Sequence, residues 1–124
     1  MHTMMEYDLT LAPVLERAGK TFGNTEIASR LPDRSWRRYD YREFRRRSLA
    51  LAECLLAAGL KKNERVATLM WNHYAHFETY FGVPLAGGIL HPLNLRLHPS
   101  EIAYISNHAE DRFLIVDDVL LPVL

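Results

Sequence analysis

Histidines and carboxylates form the spacings in this sequence that could bind a metal ion or transfer a proton. His73 and His76 are three residues apart and could share one face of a helix, with Glu78 nearby. The H-E-x-x-H pattern of helical zinc sites is absent, and the single cysteine, Cys54, cannot supply a pair of thiolate ligands. Asp117 follows a strand-like run, where catalytic carboxylates often lie, but it could equally cap a following helix. We therefore predict no metal site and no catalytic residue.

The glycine-rich stretch from Gly82 to Gly88 is the part of the sequence most similar to a phosphate-binding loop. It matches neither G-x-G-x-x-G nor G-x-x-x-x-G-K-[ST], and no lysine or hydroxyl residue follows it. We interpret it instead as a site of close packing and a helix-to-strand turn. No serine stands in a G-x-S-x-G elbow, so that class of nucleophile is also missing. These patterns predict no cofactor-binding residue.

Seven arginines crowd one short region and are interleaved with aromatic residues. We call this region the Arg34–Arg47 surface, and its members are Arg34, Arg37, Arg38, Arg42, Arg45, Arg46 and Arg47. A stand-alone module could use such a surface to bind phosphates, nucleic acid or a protein, with Arg42, Arg45 and Arg46 as candidate contacts for an anionic ligand. The same residues could instead form a solvated face paired with acidic neighbours. The sequence leaves both interpretations open.

The overall composition limits the class of protein. Lys+Arg and Asp+Glu each total 15 in 124 residues, so the formal net charge is zero, which argues against nucleic acid as a partner. Hydrophobic residues make up 48%, as in ordinary globular domains. The lone cysteine fits a reducing compartment, and the sequence has neither a signal peptide nor a run of about 20 apolar residues. We therefore predict a cytoplasmic domain without a transmembrane segment.

Local patterns in the first half predict the elements that position these side chains. Residues 9–18 suggest a short helix, and two β-leaning runs flank Pro32-Asp33-Arg34, which predicts a hairpin. Asp40 and Glu43 form a capping-box pattern ahead of an amphipathic helix that ends before Gly59.

Three strand-like runs alternate with helices in the second half. The runs lie at residues 66–70, 88–91 and 112–116, with Asn72 as the expected cap of the first intervening helix and Pro99-Ser100-Glu101 opening the second. Strands separated by helices in this way form βαβ units with parallel strands and right-handed crossovers. The predicted fold class is α/β, a short β-hairpin followed by βαβαβ parallel strands.

Several phrases of the sequence, taken in order, resemble those of one enzyme family. They are Leu31-Pro-Asp, Tyr41-Arg-Glu-Phe, Arg65-Val-Ala-Thr-Leu-Met-Trp-Asn, His91-Pro-Leu-Asn-Leu-Arg-Leu and Ile102-Ala-Tyr-Ile-Ser-Asn-His-Ala-Glu-Asp-Arg. This set is similar to the N-terminal region of AMP-forming acyl-CoA synthetases, and more narrowly to bacterial medium- and long-chain fatty-acid–CoA ligases of the adenylate-forming superfamily. The resemblance implies that residues 1–124 are an incomplete N-terminal, AMP-binding domain without the C-terminal domain. The fold would then be a partial N-terminal subdomain of the acyl-adenylate-forming fold.

The resemblance also implies a two-step reaction for the complete enzyme. Such ligases use ATP and Mg²⁺ to convert a fatty acid to its acyl-adenylate, and coenzyme A then displaces AMP. The family's phosphate-gripping loop, its adenine- and ribose-binding motifs and its C-terminal lysine have no counterpart in this sequence. We therefore expect a fragment that is inactive alone and binds none of these cofactors by itself. For the intact enzyme, the resemblance implies a homo-oligomer and is compatible with peripheral membrane contact.

One loop departs from the family pattern. The family often reads Asn-Pro-Arg-Leu after the second strand, where this sequence has Asn94-Leu95-Arg96-Leu97. The change frees φ at one loop position and keeps the polar pair. In the family this loop approaches the acyl-adenylate, so the resemblance makes Asn94 and Arg96 candidates for supporting the substrate loop. The alternative is a loop that these two residues merely hold together by hydrogen bonds.

Overall fold

The computed structural model describes residues 6–123, which form four α-helices, five β-strands and a final 3₁₀ helix. The helices are α1 Leu11–Thr21, α2 Tyr41–Ala57, α3 Tyr74–Leu85 and α4 Pro99–His108. The strands are β1 Glu26–Arg30, β2 Trp36–Asp40, β3 Arg65–Leu69, β4 Ile89–Pro92 and β5 Asp111–Val116, and the 3₁₀ helix is Asp118–Val123. The element order confirms the predicted α/β class. Within residues 6–123, no helix is long and apolar enough to cross a membrane.

Strands β3, β4 and β5 form a parallel sheet in the order β4–β3–β5, so the first of the three strands lies in the middle. Side chains along β3 alternate between the two faces of the sheet. Val66 packs in one cluster with Leu55 of α2 and Val83 of α3, whereas Ala67 packs in another with Ile102 of α4. Helices α3 and α4 therefore cover opposite faces, as right-handed crossovers in opposite directions produce.

Strands β1 and β2 form an antiparallel hairpin that is separate from the parallel sheet. Its turn contains Pro32-Asp33-Arg34, which confirms the predicted hairpin. The Asp33 carboxylate accepts hydrogen bonds from the backbone N–H and the hydroxyl of Ser35 at 2.9 and 2.6 Å. Arg34 adopts a φ of 69°, which lets the chain reverse direction.

Helix α2 begins where the sequence predicts. The Asp40 carboxylate accepts a hydrogen bond from the Glu43 backbone N–H at 2.8 Å. The Glu43 carboxylate, however, binds Arg46 one turn later instead of closing the capping box. Beyond the last helical residue, Ala57, the chain turns at Gly59 with a φ of 92°, which glycine adopts without strain.

The predicted cap of α3 is wrong by one residue. His73, not Asn72, is the N-cap, and its Nδ1 accepts a hydrogen bond from the Ala75 backbone N–H at 3.1 Å. Helix α4 is likewise capped by a histidine, since His98 forms a capping box with Glu101. An unprotonated imidazole nitrogen accepts a hydrogen bond as an oxygen does, so it can replace the usual Asn or Asp at this position.

The glycine-rich end of α3 serves close packing, as the sequence predicts. A Cβ atom at Gly82 would lie 2.7 Å from a methyl carbon of Leu51, and one at Gly88 would lie 3.0 Å from a methyl carbon of Leu60. Gly87 has a φ of 80° at the turn that leads from α3 into β4. A side chain at Gly82 would overlap Leu51, and one at Gly88 would require its neighbours to shift.

Candidate functional site

The parallel sheet creates a crevice where its connections diverge. Strand β4 lies on one side of β3, and strand β5 lies on the other side. The connection that follows β3 therefore leads away from β5. In open α/β sheets, ligands bind outside the carboxyl ends of the strands at such a switch point. We call the residues that follow β3 and β5 there the carboxyl-edge site; they are Trp71, Asn72, His73, Asp117, Asp118 and Val119.

The Asp117 carboxylate fixes the loop that follows β3. It accepts a hydrogen bond from the Trp71 backbone N–H at 2.8 Å and contacts His73 Nε2 at 2.9 and 3.0 Å. Because His73 Nδ1 already accepts the Ala75 N–H, the ring proton resides on Nε2 and is donated to Asp117. Both ring nitrogens of His73 are therefore occupied. This histidine positions the loop and is not available as a general base.

A cavity of about 490 Å³ lies between the carboxyl-edge site and the hairpin turn. Its remaining walls come from the hairpin turn and the start of α3, through Arg30, Leu31, Pro32, Tyr74 and Ala75. The Trp71 side chain in its wall is 53% exposed, and Asn72 and Asp118 are exposed as well. The volume lies within the range of roughly 300–1,000 Å³ that small-molecule sites occupy. The arrangement offers surfaces for binding but no activated nucleophile.

His76, the second histidine of the candidate metal pair, is buried beneath α3 and is 6% exposed. Its Nε2 lies 3.1 Å from the hydroxyl of Thr68 on β3. Burial lowers the pKa of His76, and the Trp71 backbone opposes this only in part. The imidazole is therefore held neutral. His73 and His76 have separate partners, and residues 6–123 contain no cluster of three or more metal-ligating side chains.

A second histidine–aspartate pair joins the two outer strands on either side of β3. His91 Nδ1 on β4 lies 2.9 and 3.0 Å from the carboxylate oxygens of Asp111 on β5, and the Asp111 side chain is 4% exposed. Neither this pair nor the bond between His73 and Asp117 was predicted from the sequence. No local signal marks them, because the partners are far apart in the chain and meet only when β5 pairs with β3.

The loop residues Asn94 and Arg96 lie near each other, and neither lines the cavity beside the carboxyl-edge site. The Asn94 side-chain oxygen accepts a hydrogen bond from the Arg96 backbone N–H at 3.0 Å. Both residues are exposed. Asn94 thus shapes the loop through the backbone, and a role of either side chain toward a substrate stays a prediction.

Five of the seven arginines of the Arg34–Arg47 surface have a polar side-chain partner, and for three of them the partner is a glutamate on a different element. Arg45 binds Glu16 of α1, Arg46 binds Glu43, Arg47 binds Glu78 of α3 and Arg38 binds Glu26 of β1, while Arg42 donates to the side-chain oxygen of Asn24. Glu16 and Glu43 have lowered pKa values, chiefly because of hydrogen bonds from Lys20 and Arg46 respectively. The candidate anion contacts Arg42, Arg45 and Arg46 therefore each engage a protein side chain in this structure.

The sequence and the fold match one family. The family model described as "AMP-binding enzyme" matches residues 15–123. The chain belongs to the AMP-binding enzyme family. It is 48% identical over 122 residues to a long-chain-fatty-acid–CoA ligase of Thermus thermophilus, and 35% identical over 121 residues to a medium-chain-fatty-acid–CoA ligase of Ectopseudomonas oleovorans. Each match covers 98% of the chain.

The solved structure of an acyl-CoA synthetase shows the same architecture. The fatty acyl CoA synthetase of Mycobacterium tuberculosis superposes on 88% of the chain with a TM-score of 0.77 and 25% sequence identity. The chain spans only 21% of that protein, and 23% and 22% of the Thermus and Ectopseudomonas ligases. The resemblance to acyl-CoA synthetases and the α/β fold of their N-terminal region are thus confirmed.

Proposed function

We propose that this chain is the N-terminal part of an AMP-forming acyl-CoA ligase that acts on fatty acids in the cytoplasm. The 48% identity to the Thermus long-chain ligase, which extends over 98% of the chain, carries the proposal. In such a ligase, ATP supplies the adenylyl group that activates the carboxylate, and coenzyme A supplies the accepting thiol. We expect the complete enzyme to be a homo-oligomer, with peripheral membrane contact compatible with its substrates.

The described residues do not fit Mg²⁺ or the phosphates of ATP. Residues 6–123 hold no cluster of three or more His, Cys, Asp or Glu side chains for a metal ion. Gly82 and Gly88 are packed against leucine side chains, and no lysine follows them in the sequence. We therefore derive no catalytic step from this chain. Its part in the ligase is to build the sheet and to fix the carboxyl-edge site.

A pyrophosphate-release assay with octanoate, ATP and Mg²⁺ tests whether the chain forms an acyl-adenylate by itself. We expect the purified 124-residue protein to release pyrophosphate no faster than buffer. The Thermus ligase, assayed with a long-chain acid, is the positive control. Octanoate-dependent release by the isolated chain would contradict the proposal that the chemistry requires more than these residues.

A chimera tests the family assignment at the level of activity. The 122 matched residues of the Thermus ligase are replaced by those of this chain, and thioester formation is measured. We expect the chimera to retain activity, because the replaced part supplies structure and not catalytic groups. The same chimera with Val66→Asp is the matched control, and it should lose activity through loss of the buried β3 contacts. A folded but inactive chimera would contradict the proposal.

A second candidate function is a stand-alone module that binds anions, nucleic acid or a protein through the Arg34–Arg47 surface. In its favour, Arg34 and Arg37 have no carboxylate partner within residues 6–123. Binding of a labelled oligonucleotide or of anionic vesicles would then weaken steeply as salt rises, since phosphate contacts release counterions. Absence of binding at low salt would remove this candidate and leave the ligase proposal untouched.

A further inference from the structure

Two clefts lie beneath parts of the hairpin of β1 and β2. The cavity of about 490 Å³ lies beneath its turn. A second cavity of about 340 Å³ lies beneath β1, between Ile27 and Ser29 on one side and α3 on the other. The two cavities share a wall made of Asn72, His73 and Tyr74. Both cavities are partly open to solvent, since Tyr80 in the wall of the smaller one is 43% exposed and Trp71 in the wall of the larger one is 53% exposed.

The hairpin is joined to the rest of the protein at its open end, away from the turn. There the backbone N–H of Tyr41 donates to Thr25 O at 2.9 Å, and that of Arg42 donates to Gly23 O at 3.1 Å. These bonds connect the end of β2 with the segment that leads into β1. They fix the open end of the hairpin, but they do not restrain the position of the turn at its other end.

A polar clamp holds the middle of β2 against α3. The Tyr39 hydroxyl donates to Glu78 Oε1 at 3.1 Å, and the same oxygen accepts Arg47 Nε at 2.6 Å. The guanidinium of Arg37 lies 4.3 Å from the ring centre of Tyr74. Glu78 is 5% exposed, so these donors take the place of the water that would otherwise bind its carboxylate. Burial and the Glu78 carboxylate raise the pKa of Tyr39, which therefore keeps its proton.

The turn has no hydrogen bond of its own to the rest of the protein within residues 6–123. Leu31 N–H donates to Ser35 O at 3.0 Å, Arg34 N–H donates to Leu31 O at 2.9 Å, and Asp33 binds Ser35. All of these bonds stay within the hairpin. The turn can therefore move as a unit without breaking its internal structure, provided that the clamp on β2 is released.

We propose that the β1–β2 hairpin is a lid that hinges at its Gly23–Thr25 end, is latched by the Tyr39–Glu78 and Arg37–Tyr74 contacts, and opens the space beside the carboxyl-edge site. Opening widens both cavities and uncovers the half-buried Tyr74 ring, while β3 and α3 keep their packing. This inference goes beyond the proposed ligase function and does not depend on it, because it concerns motion within the isolated chain.

Hydrogen–deuterium exchange of the 124-residue protein tests the lid. In the unmodified chain, the hydrogen-bonded amides of Glu26–Arg30 and Trp36–Asp40 should exchange faster than those of Arg65–Leu69, because the hairpin opens without global unfolding. Tyr39→Phe should speed exchange of the hairpin amides by about 10- to 100-fold, the effect of losing one hydrogen bond to a buried carboxylate. Exchange in Arg65–Leu69 should not change.

Two further variants make the test decisive. Arg37→Met removes the second latch contact and should also speed hairpin exchange selectively. Arg38→Gln breaks the ion pair with Glu26 on the exposed side of the same hairpin and should leave exchange unchanged. Equal exchange rates in the hairpin and in β3 of the unmodified chain would overturn the lid. So would a Tyr39→Phe effect that is spread evenly over all strands, because that indicates loss of global stability.

Discussion

In the parallel sheet, Val66, Ala67 and Leu69 of β3 are completely buried, whereas in the hairpin only Ser29 is buried. The sheet and the helices that cover it, which we call the body, are stabilised by apolar contacts on both faces of β3. The hairpin has cavities beneath it and is attached mainly through the buried carboxylate Glu78. The two regions thus depend on different interactions, burial of apolar area in one and a few hydrogen bonds in the other.

Because of this difference, the body resists local unfolding, whereas the hairpin can change its position within the same short chain. Apolar packing involves many neighbours at once, so the body resists local opening. A hydrogen-bonded clamp involves two or three groups and can be released as a unit. The helix α3 serves both regions, because Val83 packs in the core while Glu78 and Tyr74 contact the hairpin.

Phe44→Ala should give the largest effect and tests the body. Phe44 is 2% exposed and its ring stacks on Phe77 at 4.5 Å and meets Phe81 edge-on at 5.2 Å. We expect the free energy of unfolding to fall by about 3–5 kcal/mol, as measured by urea denaturation. Leu56→Ala, at a 52% exposed position of the same helix, is the control and should have little effect. Similar losses in the free energy of unfolding for both variants would contradict the conclusion that buried apolar contacts stabilise the body.

Glu78→Gln should give a smaller loss and tests the connection between the two regions. The change removes the charge that Arg47 and Tyr39 contact and keeps the side-chain shape. We expect unfolding to become easier by about 2 kcal/mol, because a hydrogen-bonded charge pair is replaced by a neutral one. Glu53→Gln, on the exposed side of α2, is the control. An equally stable Glu78→Gln protein would show that the clamp adds nothing.

His76→Gln should change how stability depends on pH, with a smaller effect at neutral pH. The pKa of His76 is lowered by burial from its ordinary value of 6.5, so the unfolded chain binds a proton that the folded chain resists. Its contribution to stability is therefore present above about pH 6.5 and is lost as the pH falls. Replacing His76 should flatten this dependence between about pH 7.5 and 5 in urea titrations. The exposed His108→Gln should not, and an equal change in both would refute the assignment to His76.

Arg46→Gln should have the smallest effect. Its ion pair with Glu43 lies on the surface, with side chains 66% and 36% exposed. Water and salt screen such a pair, so the denaturation midpoint should not shift measurably. Arg47→Gln is the matched comparison, since the neighbouring arginine binds the buried Glu78, and it should lower the midpoint. The reverse order would mean that charge density on α2, and not burial of the partner, determines which arginine matters.

Local chemistry predicted the elements well and the site poorly. Three local features were predicted correctly because the residues that determine them lie close together in the sequence. They are the Asp40 cap of α2, the hairpin turn and the glycine-rich end of α3. Asn72 was the wrong cap because the competing His73 is oriented by Asp117, which lies far along the chain and arrives only with β5. The arginines adjacent in sequence gave no indication that Arg45 and Arg47 reach acids on α1 and α3. Long-range polar pairing leaves no periodic signal.

The central place of β3 has a consequence for the order in which the chain assembles. Val66 pairs with Leu90 on one side and with Phe113 on the other, so the second pairing closes a loop about twice as long. The entropic cost of closing a flexible loop grows by only about 0.6 kcal/mol for each doubling, but both pairings wait for strands made later. A ribosome would release the hairpin and α2 before β3 had any strand beside it. The central strand β3 is therefore synthesised first, and it can pair with β4 and then with β5 only as each of these strands leaves the ribosome.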